Sequence, residues 1–167
     1  MKIKTVLKRI SLTLAAIIMV VGILTSIEIF GGQPMGLFSG SRPVGLGFNN
    51  GQFKPPSLNP NTVSSTVEKS DGVHYIAPIA FSGDPVAAWD KLTRIVKAET
   101  GATLITEKSD YLYAEFKSAK MGFVDDVEFA LDTKANVVQV RSGSRLGVRD
   151  LGVNRKRIEA IRAAFGK

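Results

Sequence analysis

The chain contains no cysteine, and its one histidine is His74. Without cysteine there is no disulfide, no thiolate zinc site and no cysteine nucleophile. A single histidine excludes a histidine-rich metal site and argues against a serine–histidine–acid triad. No metal and no cofactor is expected from such a donor set. The formal net charge is +7 over 167 residues, but it divides into +3 for residues 1–40, +1 for 41–72 and +3 for 73–167. The basic excess is therefore in part a targeting signal, and no nucleic-acid partner is expected.

Residues 10–27 form a run without charge, ISLTLAAIIMVVGILTSI. As a helix it would be roughly 27 Å long, close to the ~30 Å hydrocarbon core of a bilayer. Glu28, Ile29 and Phe30 can complete a span at the interface. Lys2, Lys4, Lys8 and Arg9 precede it, and the positive-inside rule keeps them cytoplasmic. The expected organisation is a basic cytoplasmic stub over 1–9, a transmembrane anchor over 10–30, a linker over 31–56 and a folded domain over 57–167. The protein would then sit in the inner (plasma) membrane as a single-pass protein with its C-terminal domain in the periplasm. A cleaved signal peptide and a buried helix are the rival readings. The cleaved signal is disfavoured by the length of the run and by the lack of a small-x-small site after it.

The linker is rich in glycine, proline, asparagine and serine. Its apolar residues, Met35, Leu37, Phe38, Val44, Leu46 and Phe48, exceed what a spacer needs, so some are expected to touch the domain or the interface. Gly45-Leu46-Gly47 lacks the strand, helix and third glycine of a nucleotide motif.

In the domain, residues 73–77 read as a short strand stopped by Pro78. Asp84 and Pro85 mark a helix start. Val86, Trp89, Leu92, Thr93 and Val96 give it an apolar face, and Gly101 ends it. Strands follow over 102–107 and 111–118, with Ile105, Leu112, Ala114 and Phe116 inward, and over 123–131 and 137–144. In the last hairpin, pairing Leu131 with Val138 and Phe129 with Val140 stacks apolar on apolar and sets Glu128 opposite Arg141. A closing helix over 153–165, capped by Asn154 or Asp150, buries Ile158, Ile161 and Phe165. This order predicts an α+β fold: an antiparallel sheet of about five strands with two helices on one face, β-α-β4-α, comparable in topology to the TATA-binding protein.

Residues 107–132 carry seven acids against three bases, and residues 141–167 carry eight bases against two acids. These blocks are neighbours in the predicted sheet. One reading is mutual neutralisation, with Asp125, Asp126 and Glu128 paired to Arg141, Arg145 and Arg155. A second is an anion-binding site of Arg141, Arg145, Arg149, Asn154 and Arg155 near the start of the last helix, which requires a surface patch containing Arg145, Arg149 and Arg155. A third is a cation-dependent hydrolase using Asp126 and Glu128, which share a strand face; Asp125 points the other way. Tyr111 and Tyr113 lie on the face opposite the expected core.

Two stretches, 121–129 (MGFVDDVEF) and 141–157 (RSGSRLGVRDLGVNRKR), resemble the DUF1499 family, a domain of unknown function. Residues 59–65 (NPNTVSS) resemble that family's entry segment, with Thr62 where members usually carry cysteine. The resemblance spans about residues 57–165. It implies a bacterial-type envelope protein and no named activity. The expected function is a membrane-anchored, non-enzymatic binding domain for an anionic ligand, such as a lipid headgroup or phosphorylated glycan, or for an envelope protein partner. The alternatives are a structural or assembly module and the hydrolase.

Overall fold

The computed structural model describes residues 38–167. The stub and the candidate span over 10–30 lie outside the described residues. Among the described residues the elements run β1 (Thr62–Ser64), β2 (Ile79–Ala80), α1 (Pro85–Ala98), β3 (Ala102–Glu107), β4 (Tyr111–Lys117), β5 (Val124–Asp132), β6 (Val137–Ser144) and α2 (Val153–Phe165). The sheet has six strands rather than about five, all antiparallel. Its order is β1-β6-β5-β4-β3, and β2 also pairs with β6.

The expected register of the last hairpin is present: Leu131 faces Val138, Phe129 faces Val140 and Glu128 faces Arg141. Alternation then determines both faces of the sheet. Leu112, Ala114 and Phe116 of β4, Val127 and Phe129 of β5, and Val138 and Val140 of β6 form one buried face. Both helices cover it, with Trp89, Leu92 and Val96 from α1 and Ile158, Ile161 and Phe165 from α2.

Helix α1 starts as its sequence dictates. The Asp84 carboxylate accepts the Val86 and Ala87 amides, and Pro85 occupies the first turn. Val86 does not join the buried stripe. It lies in the first turn beyond the sheet and is 64% exposed, and Ala88 takes its place in the core. Ile105 does not join the core: Leu104, paired with Ala114, packs there instead, and Ile105 falls where the register of β3 against β4 shifts between Leu104 and Thr106.

No strand forms over 73–77. The Asp71 carboxylate accepts the Val73 and His74 amides, and its carbonyl accepts the Tyr75 amide, which curls the segment into a turn. His74 Nδ1 lies 2.8 Å from the same carboxylate. Beyond the turn the chain makes a single parallel bridge, Tyr75 to Ser64 of β1, with the Ser64 amide donating to the His74 carbonyl and the Ile76 amide to the Ser64 carbonyl. Strand pairing resumes past Pro78, where Ile79 and Ala80 meet Val138 and Val137.

At the other end of β6, Thr62 pairs with Gly143. A Cβ at Gly143 would fall 2.6 Å from Thr62 Oγ1, so a side chain there forces the strands apart. Gly143→Ala is expected to destabilise the domain by about 1–3 kcal/mol. Adding Thr62→Ala, which removes that hydroxyl, should recover much of the loss. Chemical denaturation followed by the fluorescence of buried Trp89 measures both.

Candidate functional site

The face of the sheet away from the helices is polar, yet it is buried. Tyr111, Tyr113 and Glu115 project from β4, Asp126 and Glu128 from β5, and Arg141 from β6, with Arg145 just beyond β6. Residues 38–54, within the stretch that reads as linker, contribute partners to this face. The Gly47 amide donates to Glu128 Oε1 at 2.7 Å, Arg42 Nε donates to Glu115 at 2.6 Å, and Arg141 Nε donates to the Lys54 carbonyl at 3.1 Å. Phe53 is buried, with its ring 4.8 Å from that of Phe48.

Each carboxylate of this face has several donors. Glu128, wholly buried, accepts Arg141 Nη1 at 3.0 Å, the Tyr111 hydroxyl at 2.8 Å and the Gly47 amide. Asp126 accepts Arg145 Nε and Nη2, at 3.0 Å and 2.7 Å, and the Tyr113 hydroxyl at 2.5 Å. Arg145 Nη2 also bonds to Glu115, so that arginine links two acids. Asp125, on the helix face, accepts Arg157 Nη2 at 2.6 Å, and that guanidinium lies 4.7 Å from the Phe116 ring centre. Among the described residues the one buried side-chain polar atom without a partner is Thr93 Oγ1, outside this network.

The ionisation of these groups follows from their neighbours. Burial raises the Tyr113 phenol far above its ordinary value, and its hydrogen bond to Asp126 adds to the effect. Burial likewise raises Tyr111, reinforced by the charge of Glu128. Neither tyrosine can act as a base near neutral pH. For Glu115 burial opposes ionisation, but hydrogen bonds from Arg42 and Arg145 outweigh it and hold the carboxyl below its usual range. For Arg145 burial opposes the charge, and Asp126 and Glu115 more than restore it.

Asn154, expected as a cap or ligand group, is buried inside the fold. Its amide donates to the Asn61 carbonyl and to Ser144 Oγ, and its oxygen accepts Ser142 Oγ at 2.6 Å and Arg157 Nη1 at 2.7 Å. It thereby ties α2 to β6 and to the entry of β1. Helix α2 begins at Gly152, in a left-handed conformation at φ 79°. Asp150 reaches forward from outside the helix to accept the Gly152 and Asn154 amides. Thr62 lies buried in β1 with its hydroxyl donating to Asn61 Oδ1.

The five expected ligand residues do not converge. Arg141 is spent on Glu128, and Asn154 on the α2–β6 junction. The Arg145 side chain is only 6% exposed and cannot belong to a surface patch. Arg155 pairs with no acid and instead donates to the Val73 carbonyl. Arg149 is exposed, with no hydrogen bond or ion pair among the described residues. The neutralisation reading had the right acids and two of its three arginines: Arg141 and Arg145 pair as expected, but Arg155 does not, and Asp125 is met by Arg157, three residues along the helix from Asn154. The period-two spacing of Tyr111, Tyr113 and Glu115 could have placed those residues beside Asp126 and Glu128. Nothing in the sequence marks Arg42 or Gly47.

Asp126 and Glu128 do share a face, but arginine and tyrosine donors occupy both. Among the described residues there is no cluster of three or more metal-ligating side chains. A cleft of about 740 Å³ lies near the first turns of α2, bordered by Phe116, Val153, Lys156 and Arg157.

The architecture defines a class: a single antiparallel sheet with two helices on one face and a closed ionic network on the other. The chain matches the family described as a protein of unknown function, DUF1499, over residues 52–165, and it belongs to that family. No curated protein matches it.

Removing one member of the Glu128–Arg141 pair leaves a buried charge alone. Glu128→Ala and Arg141→Ala should each cost about 3–5 kcal/mol, and the double variant less than their sum. Denaturant midpoints of the four proteins check this. Glu115 has a folded pKa below its ordinary 4.5, so its contribution is present above that pH and is lost as pH falls through the folded value. Glu115→Gln should flatten the acid limb of a melting-temperature profile.

Proposed function

We propose that the chain is a membrane-anchored envelope protein whose extracytoplasmic domain is a non-enzymatic binding module for an anionic ligand. The observation that carries this reading is the surplus of positive charge after internal pairing. Arg141, Arg145 and Arg157 are neutralised within the fold, whereas among the described residues Arg149 faces solvent without a partner and Arg155 meets only a carbonyl oxygen. The nearby acid, Asp150, is engaged by two backbone amides. Guanidinium groups so placed suit a phosphate, whether on a lipid headgroup or a glycan.

The membrane placement rests on the uncharged run over 10–27 and the four basic residues before it. On this reading the N-terminus lies in the cytoplasm and the domain in the periplasm. The hydrolase reading loses ground because both of its carboxylates are saturated by protein donors. A purely structural role suits the buried arginines but leaves Arg149 without a purpose.

The test uses full-length protein in detergent, titrated with dihexanoyl phosphatidylglycerol and followed by amide chemical shifts. Saturable shifts around Gly147 to Arg155 are expected, weakened roughly tenfold or more in Arg149→Glu/Arg155→Glu with an unchanged melting temperature. Equal binding by the variant contradicts the ligand reading. Unfolding of the variant would return these arginines to a structural role.

A further inference from the structure

The loop between β6 and α2, residues 145–152, displays large apolar side chains to solvent. Leu151 is 86% exposed and Val148 64%, and Leu146 and Val153 beside them are exposed as well. Scattered apolar residues on a surface need no explanation, but a run of them on one tip does.

This tip is built rather than slack. Arg145 is held by Asp126, and its amide donates to the Val124 carbonyl. The Gly147 carbonyl accepts Asn61 Nδ2 at 2.6 Å. The Asp150 carboxylate reaches past Leu151 to hold the Gly152 and Asn154 amides just after it. Leu151 itself is in the left-handed region at φ 55°, a conformation that leucine rarely adopts. The chain thus takes an unfavourable backbone shape to hold a leucine out in water.

The surroundings of the tip are basic and lie at one end of the sheet. The β4–β5 turn, residues 118–123, adjoins it through the Arg145–Val124 bond and adds the exposed Met121 and Lys120. Arg149 and Lys156 are exposed in and just after the loop. The first described residues arrive at the same end. The Phe38 ring lies 5.2 Å from that of Phe123, and Gly40 sits against Arg145 and Leu146. Residues 28–37 alone separate Phe38 from the uncharged run, and ten residues reach at most about 35 Å.

We infer that the 145–152 loop docks on the bilayer surface that holds the chain. Leu151 and Val148 enter the interface, and Arg149, Lys156 and Lys120 meet anionic headgroups. Apolar insertion combined with cationic attraction is the chemistry of an interfacial anchor. The inference rests on the membrane-anchored reading proposed above and goes beyond it. It makes the anionic ligand a lipid surface, and it gives the exposed apolar residues a role that a glycan or a soluble phosphate would not.

The absence of cysteine permits a clean test. Leu151→Cys, and separately Lys134→Cys in the β5–β6 turn at the opposite end of the sheet, are labelled with an environment-sensitive fluorophore. Each full-length protein is then reconstituted into vesicles with or without phosphatidylglycerol. At position 151, a blue shift and quenching by brominated lipid are expected in the phosphatidylglycerol vesicles, several-fold above position 134, with Arg149→Glu reducing both. If position 151 is as open to iodide as position 134 while the protein stays in the vesicles after carbonate washing, the docking is overturned and the anchor stands. If carbonate releases the whole protein, the anchor fails and the docking inference falls with it.

Discussion

The buried pair of Glu128 and Arg141 is the interaction on which the rest of the structure depends. It places opposite charges directly across β5 and β6, and it does so beneath another part of the chain. Glu128 is wholly buried, so its charge is tolerable only with Arg141, Tyr111 and the Gly47 amide all in place. The register of the hairpin, the tyrosines of β4 and the course of residues 38–54 are therefore parts of one arrangement. A slip of one residue in the hairpin would separate the charges and turn Phe129 out of the core.

The same network explains why so basic a motif leaves so little free charge. Arg141 and Arg145 serve the outer face, Arg157 serves the helix face, and Asn154 joins α2 to the sheet. Buried ion pairs of this kind specify geometry more than they add stability. Here they hold a glycine-rich segment and a closing helix in fixed positions, and both lead to the end of the sheet where the 145–152 loop projects. The charged sequence is in this sense the mount for the loop, and the cations available to a partner are those left over.

Much of the fold was legible because its signals are local or periodic. Asp84-Pro85 announces a helix with its own cap, and the apolar alternation of 129–131 and 138–140 fixes a register to the residue. The turn at 71–75 was not legible from strand-forming side chains, because Asp71 captures the Val73 and His74 amides and leaves only a single bridge, Tyr75 to Ser64, where a strand was expected. The role of residues 38–54 was hidden for a different reason. Glycine, proline and asparagine read as linker, and the contacts that hold this segment use a glycine amide and a lysine carbonyl, which no side-chain pattern reveals. At the site, the sequence identified the acids and the basic motif. It could not say which arginines lie inside, since Arg141, Arg145 and Arg149 recur at intervals of four and only the end of β6 separates their surroundings.

Glu128 fastens the glycine-rich segment to the sheet. Native-state hydrogen exchange at the Gly47 amide tests this attachment most directly, because that hydrogen is donated to the buried carboxylate. Gly47 is expected to be protected and to open with a free energy close to that of the β5–β6 amides. Exchange at the rate of an unstructured peptide, with β5 and β6 still protected, would contradict it.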